Sequence, residues 1–148
     1  MTLDWAMLAE SVQLHEGLAF VLGGGIDTLT VPELPAPFTA AVLIRLLLHR
    51  TEADHPQLIE VRFLDEDGNQ LVGLKGEVRP HLSPDVPVGW DIPLMASFNL
   101  QALPLPRAGR YSIEILANST HVKSLPLRVQ LRFPSPSGGG QGGGPYSR

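Results

Sequence analysis

Cysteine is absent from the 148-residue chain. A disulfide framework, a thiolate nucleophile and a cysteine-ligated metal are therefore excluded, and a fold without such staples agrees with a reducing compartment. None is required: a chain of this length buries roughly two thirds of its unfolded surface in one domain. An excess of basic charge is missing as well. The formal net charge is −4 and the 11 Lys and Arg residues are scattered singly, so the electrostatic footprint of a nucleic-acid binder is lacking and DNA and RNA are not expected partners. The most apolar run, Ala40 to Leu48, is far shorter than a membrane span and is interrupted by Arg45. The opening residues, with Leu3-Asp4-Trp5, show no basic segment leading into an apolar one. The expectation is no signal peptide, no membrane partner and a cytoplasmic protein.

What the chain does carry is period-2 alternation. Tyr111, Ile113 and Ile115 alternate with Ser112 and Glu114, and Leu127, Val129, Leu131 and Phe133 alternate with Arg128, Gln130 and Arg132. Two half-buried strands follow from this, joined by a polar Asn118-Ser119-Thr120 turn. That turn matches a glycosylation sequon, but without a secretion signal it reads as a turn only. Ahead of the first strand, Pro106 to Tyr111, with Gly109, has the spacing of a tyrosine corner, in which a Tyr at a strand start hydrogen-bonds back to the preceding corner of a Greek-key sandwich.

The rest of the chain repeats the theme. Residues 2–9 read as a strand, with helical spacing through Leu8 and Val12 leaving a short helix as the alternative, His15-Glu16-Gly17 as a turn and Leu18 to Leu22 as its return strand. Gly23-Gly24-Gly25 leads into Ile26 to Val31, another strand, so the triplet reads as a bulge or sharp bend rather than a phosphate loop, which would open a helix. Pro32 to Pro37 is an extended crossing between sheets. In the strand Phe38 to His49, one face carries Val42, Ile44, Leu46 and Leu48 and the other Leu43, Arg45 and Leu47. Such two-sided apolarity suits a doubly covered strand or one whose second face meets another subunit. Ile59 to Phe63 and Val72 to Val78 flank Asp65-Glu66-Asp67-Gly68-Asn69, a hairpin with Gly68 at the turn. Arg79 to Gly89 is a proline-rich loop, and Ile92 to Leu100 a further strand with Pro93 at its edge or start. After Phe133 the composition turns to Pro, Ser, Gln and Gly, which predicts a disordered tail over 134–148 behind a domain of 1–133. The pattern predicts an all-β, antiparallel two-sheet sandwich of about eight strands.

Reactive constellations are scarce. His49, Glu52, Asp54 and His55 lie close in sequence and are the candidates for a divalent metal, although their spacing matches no recognised ligand set. Asp65 and Asp67 resemble the opening of a calcium loop, but the glycine comes too early and no bidentate Glu follows at the required distance. No Gly-x-Ser-x-Gly elbow or Ser-x-x-Lys pair is present. Neither a metal nor any other cofactor is expected.

Met7-Leu8-Ala9-Glu10, Gly17-Leu18, Val21-Leu22-Gly23-Gly24, Gly109-Arg110-Tyr111 and Leu125-Pro126-Leu127-Arg128-Val129 together resemble an uncharacterised bacterial family of small β-sandwich proteins, over residues 1 to about 133. The resemblance implies the fold and brings no active residues with it. Two functional classes follow. The favoured one is a non-catalytic binding or assembly module that meets a protein partner or itself through Leu43, Arg45 and Leu47. The other is a small hydrolase or metal-dependent enzyme using the His49 to His55 loop. If the outer face of the Phe38 to His49 strand is instead covered by the chain itself, Arg45 needs a partner such as Glu60.

Overall fold

A computed structural model describes residues 1–133. The reading of 134–148 as a disordered tail falls outside the described residues. Nine strands follow one another: β1 Thr2–His15, β2 Leu18–Gly24, β3 Thr28–Val31, β4 Ala36–Leu48, β5 Gln57–Leu64, β6 Gln70–Val78, β7 Ile92–Leu105, β8 Gly109–Ala117 and β9 Thr120–Leu131. They form a four-stranded sheet in the order β2-β1-β4-β7 and a five-stranded sheet in the order β3-β9-β8-β5-β6. The fold is the expected all-β two-sheet sandwich, with nine strands.

Alternation explains which side chains meet. Leu8, Val42, Ile44, Leu46 and Leu48 from the first sheet and Ile59, Val61, Phe63, Ile113, Ile115, Leu127 and Val129 from the second are buried in one cluster. Phe63 sits at its aromatic centre, its ring 6.1 Å from Phe38 and 5.6 Å from Tyr111 between centroids. Tilted pairs at these separations favour the ring quadrupoles as well as the burial.

Tyr111 Oη donates to the Arg107 carbonyl at 2.6 Å, which is a tyrosine corner. The Arg107 guanidinium in turn reaches Asp67 at 2.8 Å and Asp65 at 3.5 Å, so the corner is tied to the β5–β6 turn. Gly109, at φ 143°, lets the chain pass the Glu66 carboxyl, which a Cβ would approach to 3.2 Å. Tyr111→Phe removes the phenolic donor while keeping the buried ring, and should destabilise the fold by about 1 kcal/mol. An unchanged urea midpoint would show that the bond adds nothing.

Four features depart from the expectations. The pairing is not wholly antiparallel, because β3 runs parallel to β9 with Leu29 beside Val129; periodicity reports which face a residue takes and is silent about the direction of its neighbour. β1 continues six residues past the expected residue 9, to His15, where it pairs only with β2. Leu127 and Val129 of β9 are buried, whereas Leu131 at its end is 36% and Phe133 beyond it 81% exposed; β3 ends opposite Leu131, so among the described residues no strand reaches farther to cover them. Arg45 is paired with Asp4 on β1. Glu60 lies in the other sheet and takes Arg62 at 3.1 Å, too far across the sandwich to have served Arg45.

Candidate functional site

The outer face of the four-stranded sheet is assembled from Met7 on β1, Leu43 on β4 and Ser97 on β7, which stand side by side in register. Arg45 lies between Trp5 and Met95, and Leu47 between Thr2 and Pro93. Leu43 is fully buried, while Arg45 and Leu47 are half-buried. Large neighbours explain this: on a central strand, flanking side chains such as Met7, Trp5 and Met95 can shield a leucine without any further layer of chain. Gly24 allows the close approach, since a Cβ there would stand 3.0 Å from the Met7 sulfur and from Val21 Cγ1. The positive φ values of the glycine triplet fall on Gly23 and Gly25, flanking it. Gly68, at φ 83°, turns the β5–β6 hairpin, with the Asp65 carboxylate accepting from the Asp67 and Asn69 backbone amides at 3.0 and 2.8 Å.

Apolar exposure is concentrated one strand further out. Leu18, Phe20 and Leu22 of β2 are 63%, 56% and 70% exposed. They occupy alternate positions, so they share one face, and pairing with His15, Gln13 and Ser11 of β1 places it on the same side as Leu43. Among the described residues β2 is an edge strand with no neighbour on its other side. The alternate spacing of these three is visible in the sequence, but nothing in it shows that the strand lies at an edge.

The His49 to His55 segment forms a 3-10 turn over Arg50–Glu52. His49 Nδ1 accepts from the Thr51 amide at 3.3 Å, and Glu52 Oε1 accepts from the His49 amide at 2.9 Å and the Met1 amino group at 2.8 Å. The hydrogen bond from the Met1 amino group, that from the His49 backbone amide and the charge of the same amino group hold the Glu52 carboxyl below the usual range against the penalty of burial. His55 turns to Asp54, both at the surface, 3.3 Å apart. The four candidate ligands thus spend their donor atoms locally, and no group of three His, Asp or Glu among the described residues could hold a metal ion. Beside them His49, Arg50, Thr51, Val88, Trp90 and Asp91 line an open cleft of about 380 Å³. Trp90 is 68% exposed, and the Thr51 hydroxyl lies 3.0 Å from His49 Nδ1, the same nitrogen that accepts from the Thr51 amide.

Sequence reasoning passed over a third cluster, on the outer face of the second sheet. His121 Nε2 lies 2.6 Å from Glu114 Oε2 and 3.1 Å from Ser124 Oγ, and the Ser124 hydroxyl donates to the same Glu114 oxygen. A Ser-His-acid relay needs the acid on one imidazole nitrogen and the serine on the other. Here both meet Nε2 and the serine proton points to the carboxylate, so the arrangement cannot activate Ser124. A register shift between Ile115 and Leu116 brings Ser124 opposite Glu114, and that shift leaves no mark in the sequence.

Partial burial pushes the Glu114 carboxyl up, but hydrogen bonds from Ser124, His121 and Ser112 outweigh it and leave the group below its usual range. For Asp65 desolvation is likewise outweighed, by the Asn69 and Asp67 bonds and the Arg107 charge. A carboxyl whose folded pKa is depressed adds stability above its unfolded value, near 4, and that stability is lost as pH falls through the lower folded value. Unfolding midpoints should therefore fall steadily below about pH 4, and Glu114→Gln should flatten part of that decline. A Glu114→Gln profile parallel to wild type would remove Glu114 from the account.

The chain is an all-β sandwich of two sheets. No described helix is long and apolar enough to cross a membrane. The chain belongs to the family of unknown function DUF6941, whose model matches residues 4–130. No curated protein matches it. Among solved structures it is similar to the C-terminal domain of wzt, with 13% identity and a TM-score of 0.48 over 89% of this chain and 74% of that one. It is also similar to the Pseudomonas fluorescens alkylpurine DNA glycosylase AlkC bound to DNA containing an abasic site analog, with 8% identity and a TM-score of 0.43 over 84% of this chain and 30% of that one. Likenesses at this level carry nothing about function.

Proposed function

We propose that this protein is a non-catalytic binding or assembly module that works through protein contact at the β1–β2 hairpin. The observation that carries the reading is the row Leu18, Phe20 and Leu22, each more than half exposed on an edge strand. Scattered exposed leucines are ordinary, but a contiguous apolar row on one strand face marks an interaction surface. Leu43, Arg45 and Leu47 stand two strands further in on the same outer face, as part of the sheet that carries the row. A cytoplasmic setting belongs to the same proposal, since a cysteine-free sandwich needs no oxidising compartment to fold.

A photo-crosslinking residue in place of Leu22, in the full chain and in extract of its own host, should yield adducts with polypeptide. The same residue in place of Lys75 on β6 should yield far fewer. Equal labelling from the two positions, or none from Leu22, would remove the hairpin from the function.

A further inference from the structure

We infer that the partner of β2 is β2 of a second copy, joined antiparallel about a two-fold axis through Phe20, so that two four-stranded sheets become one of eight strands. The inference rests on the reading of the hairpin as a contact surface and names its occupant. The backbone fixes which groups are free. Glu16 and Gly17 both have positive φ, 49° and 74°, in a two-residue turn between His15 and Leu18. Such a turn closes with a hydrogen-bonded His15–Leu18 pair. Hydrogen-bonded and non-bonded pairs then alternate along the ladder. Leu18, Phe20 and Leu22 therefore direct their amides and carbonyls to β1, and those of Ala19 and Val21 point away from the sheet, where no strand among the described residues receives them.

A two-fold perpendicular to the sheet keeps outer residues outer, so the axis must pass through a residue rather than between two. An axis through Val21, the middle of Leu18–Gly24, would require Gly23 to pair with Ala19 of the other copy, but Gly23 has left extended geometry with φ 62°. An axis through Phe20 stays within the extended run: Ala19 and Val21 exchange hydrogen bonds with their counterparts, Leu18 meets Leu22, and Phe20 meets Phe20.

Three observations favour a second copy. From Leu18 to Ile26 there is no ionisable side chain, so a two-fold that pairs this strand with its own copy opposes no like charges within it. The other three edges are guarded: β7 holds Pro93 and Pro104, β6 holds Lys75 and Glu77, and β3 is four residues long and followed by Pro32. Proline, charge and shortness are the usual defences against edge pairing, and β2 has none of them. The area is also sufficient. Three large side chains more than half exposed leave about 300 Å² of apolar surface per copy, and with both strand edges two copies approach the roughly 1,000 Å² of a specific interface.

The chain has no cysteine, so a single introduced thiol reports on one position. Under a mild oxidant, Phe20→Cys should convert to a covalent dimer, because facing residues across a two-fold lie within disulfide reach. Val21→Cys should stay uncoupled, its counterpart being a diagonal neighbour beyond that reach. Wild type should sediment with increasing mass toward twice the chain mass as concentration rises, and Phe20→Glu should remain a monomer with an unchanged circular dichroism spectrum. Coupling of Val21→Cys in place of Phe20→Cys would overturn the register. A wild type that stays monomeric while Phe20→Cys stays uncoupled would overturn self-association. If Leu22 crosslinks in extract still gave adducts with a different chain, the hairpin would remain a binding surface; if they gave none, that reading would fall as well.

Discussion

Phe63→Ala is expected to lower the unfolding free energy by about 3–5 kcal/mol, the range for deleting a buried aromatic and leaving its cavity. Phe63 has no solvent exposure and packs between Phe38 of the facing sheet and Tyr111 of its own. Its loss opens a void at the junction of both sheets and leaves the Tyr111 ring, which the corner bond to Arg107 holds in place, without a partner to close on. Little relaxation is available to fill the gap, so the upper part of the range applies. For a domain of this size the melting temperature should fall by on the order of 10–20 °C. A drop of only a few degrees would mean that the sheets collapse onto one another freely, contrary to close packing in a core of β-branched and aromatic side chains.

Leu43→Glu is expected to be at least as damaging, by more than about 4 kcal/mol, since it places an uncompensated carboxylate in a fully buried position. Arg45, two residues along the same face, is already held by Asp4 and is not free to pair with it. That loss is a large fraction of the 5–15 kcal/mol typical of a domain's total stability, so the variant should be unfolded or nearly so. Phe20→Glu, measured at concentrations where the chain is monomeric, should change stability by no more than about 0.5 kcal/mol, as for other surface positions. The two substitutions introduce the same charge onto the same face of the same sheet and differ only in how far they lie from its edge. A folded Leu43→Glu with a wild-type urea midpoint would show that the middle of this face is open to solvent, and would move the contact surface back to Leu43, Arg45 and Leu47.

Most of the architecture was legible because a strand with one wet and one dry face imposes a period of two on its side chains. Tyr111 and Gly109 announced the corner through their spacing, and Gly68 announced its hairpin through an Asp-Gly pair between alternating runs. The two-sided apolarity of Leu43, Arg45 and Leu47 was equally plain, but its meaning was not. An apolar outer face can be covered by another subunit or by large neighbours on adjacent strands, and only the register of β1 and β7 against β4 shows that Met7, Trp5 and Met95 stand beside it. The Glu114, His121 and Ser124 cluster was hidden for a related reason: one irregularity in the β8–β9 ladder decides which side chains face each other.

The sequence by itself determined the class of fold, the positions of most strands and turns, the division of each strand into buried and exposed faces, and the lack of any thiol. These depend on local geometry and composition, which a chain carries with it. Tertiary structure alone decided that β3 runs parallel to β9, that Arg45 answers to Asp4 and not Glu60, that Leu43 is covered, and that β2 is an unguarded edge. Each of these depends on which strand lies beside which, a relation between segments far apart in sequence, and alternation within a strand holds no record of its neighbour.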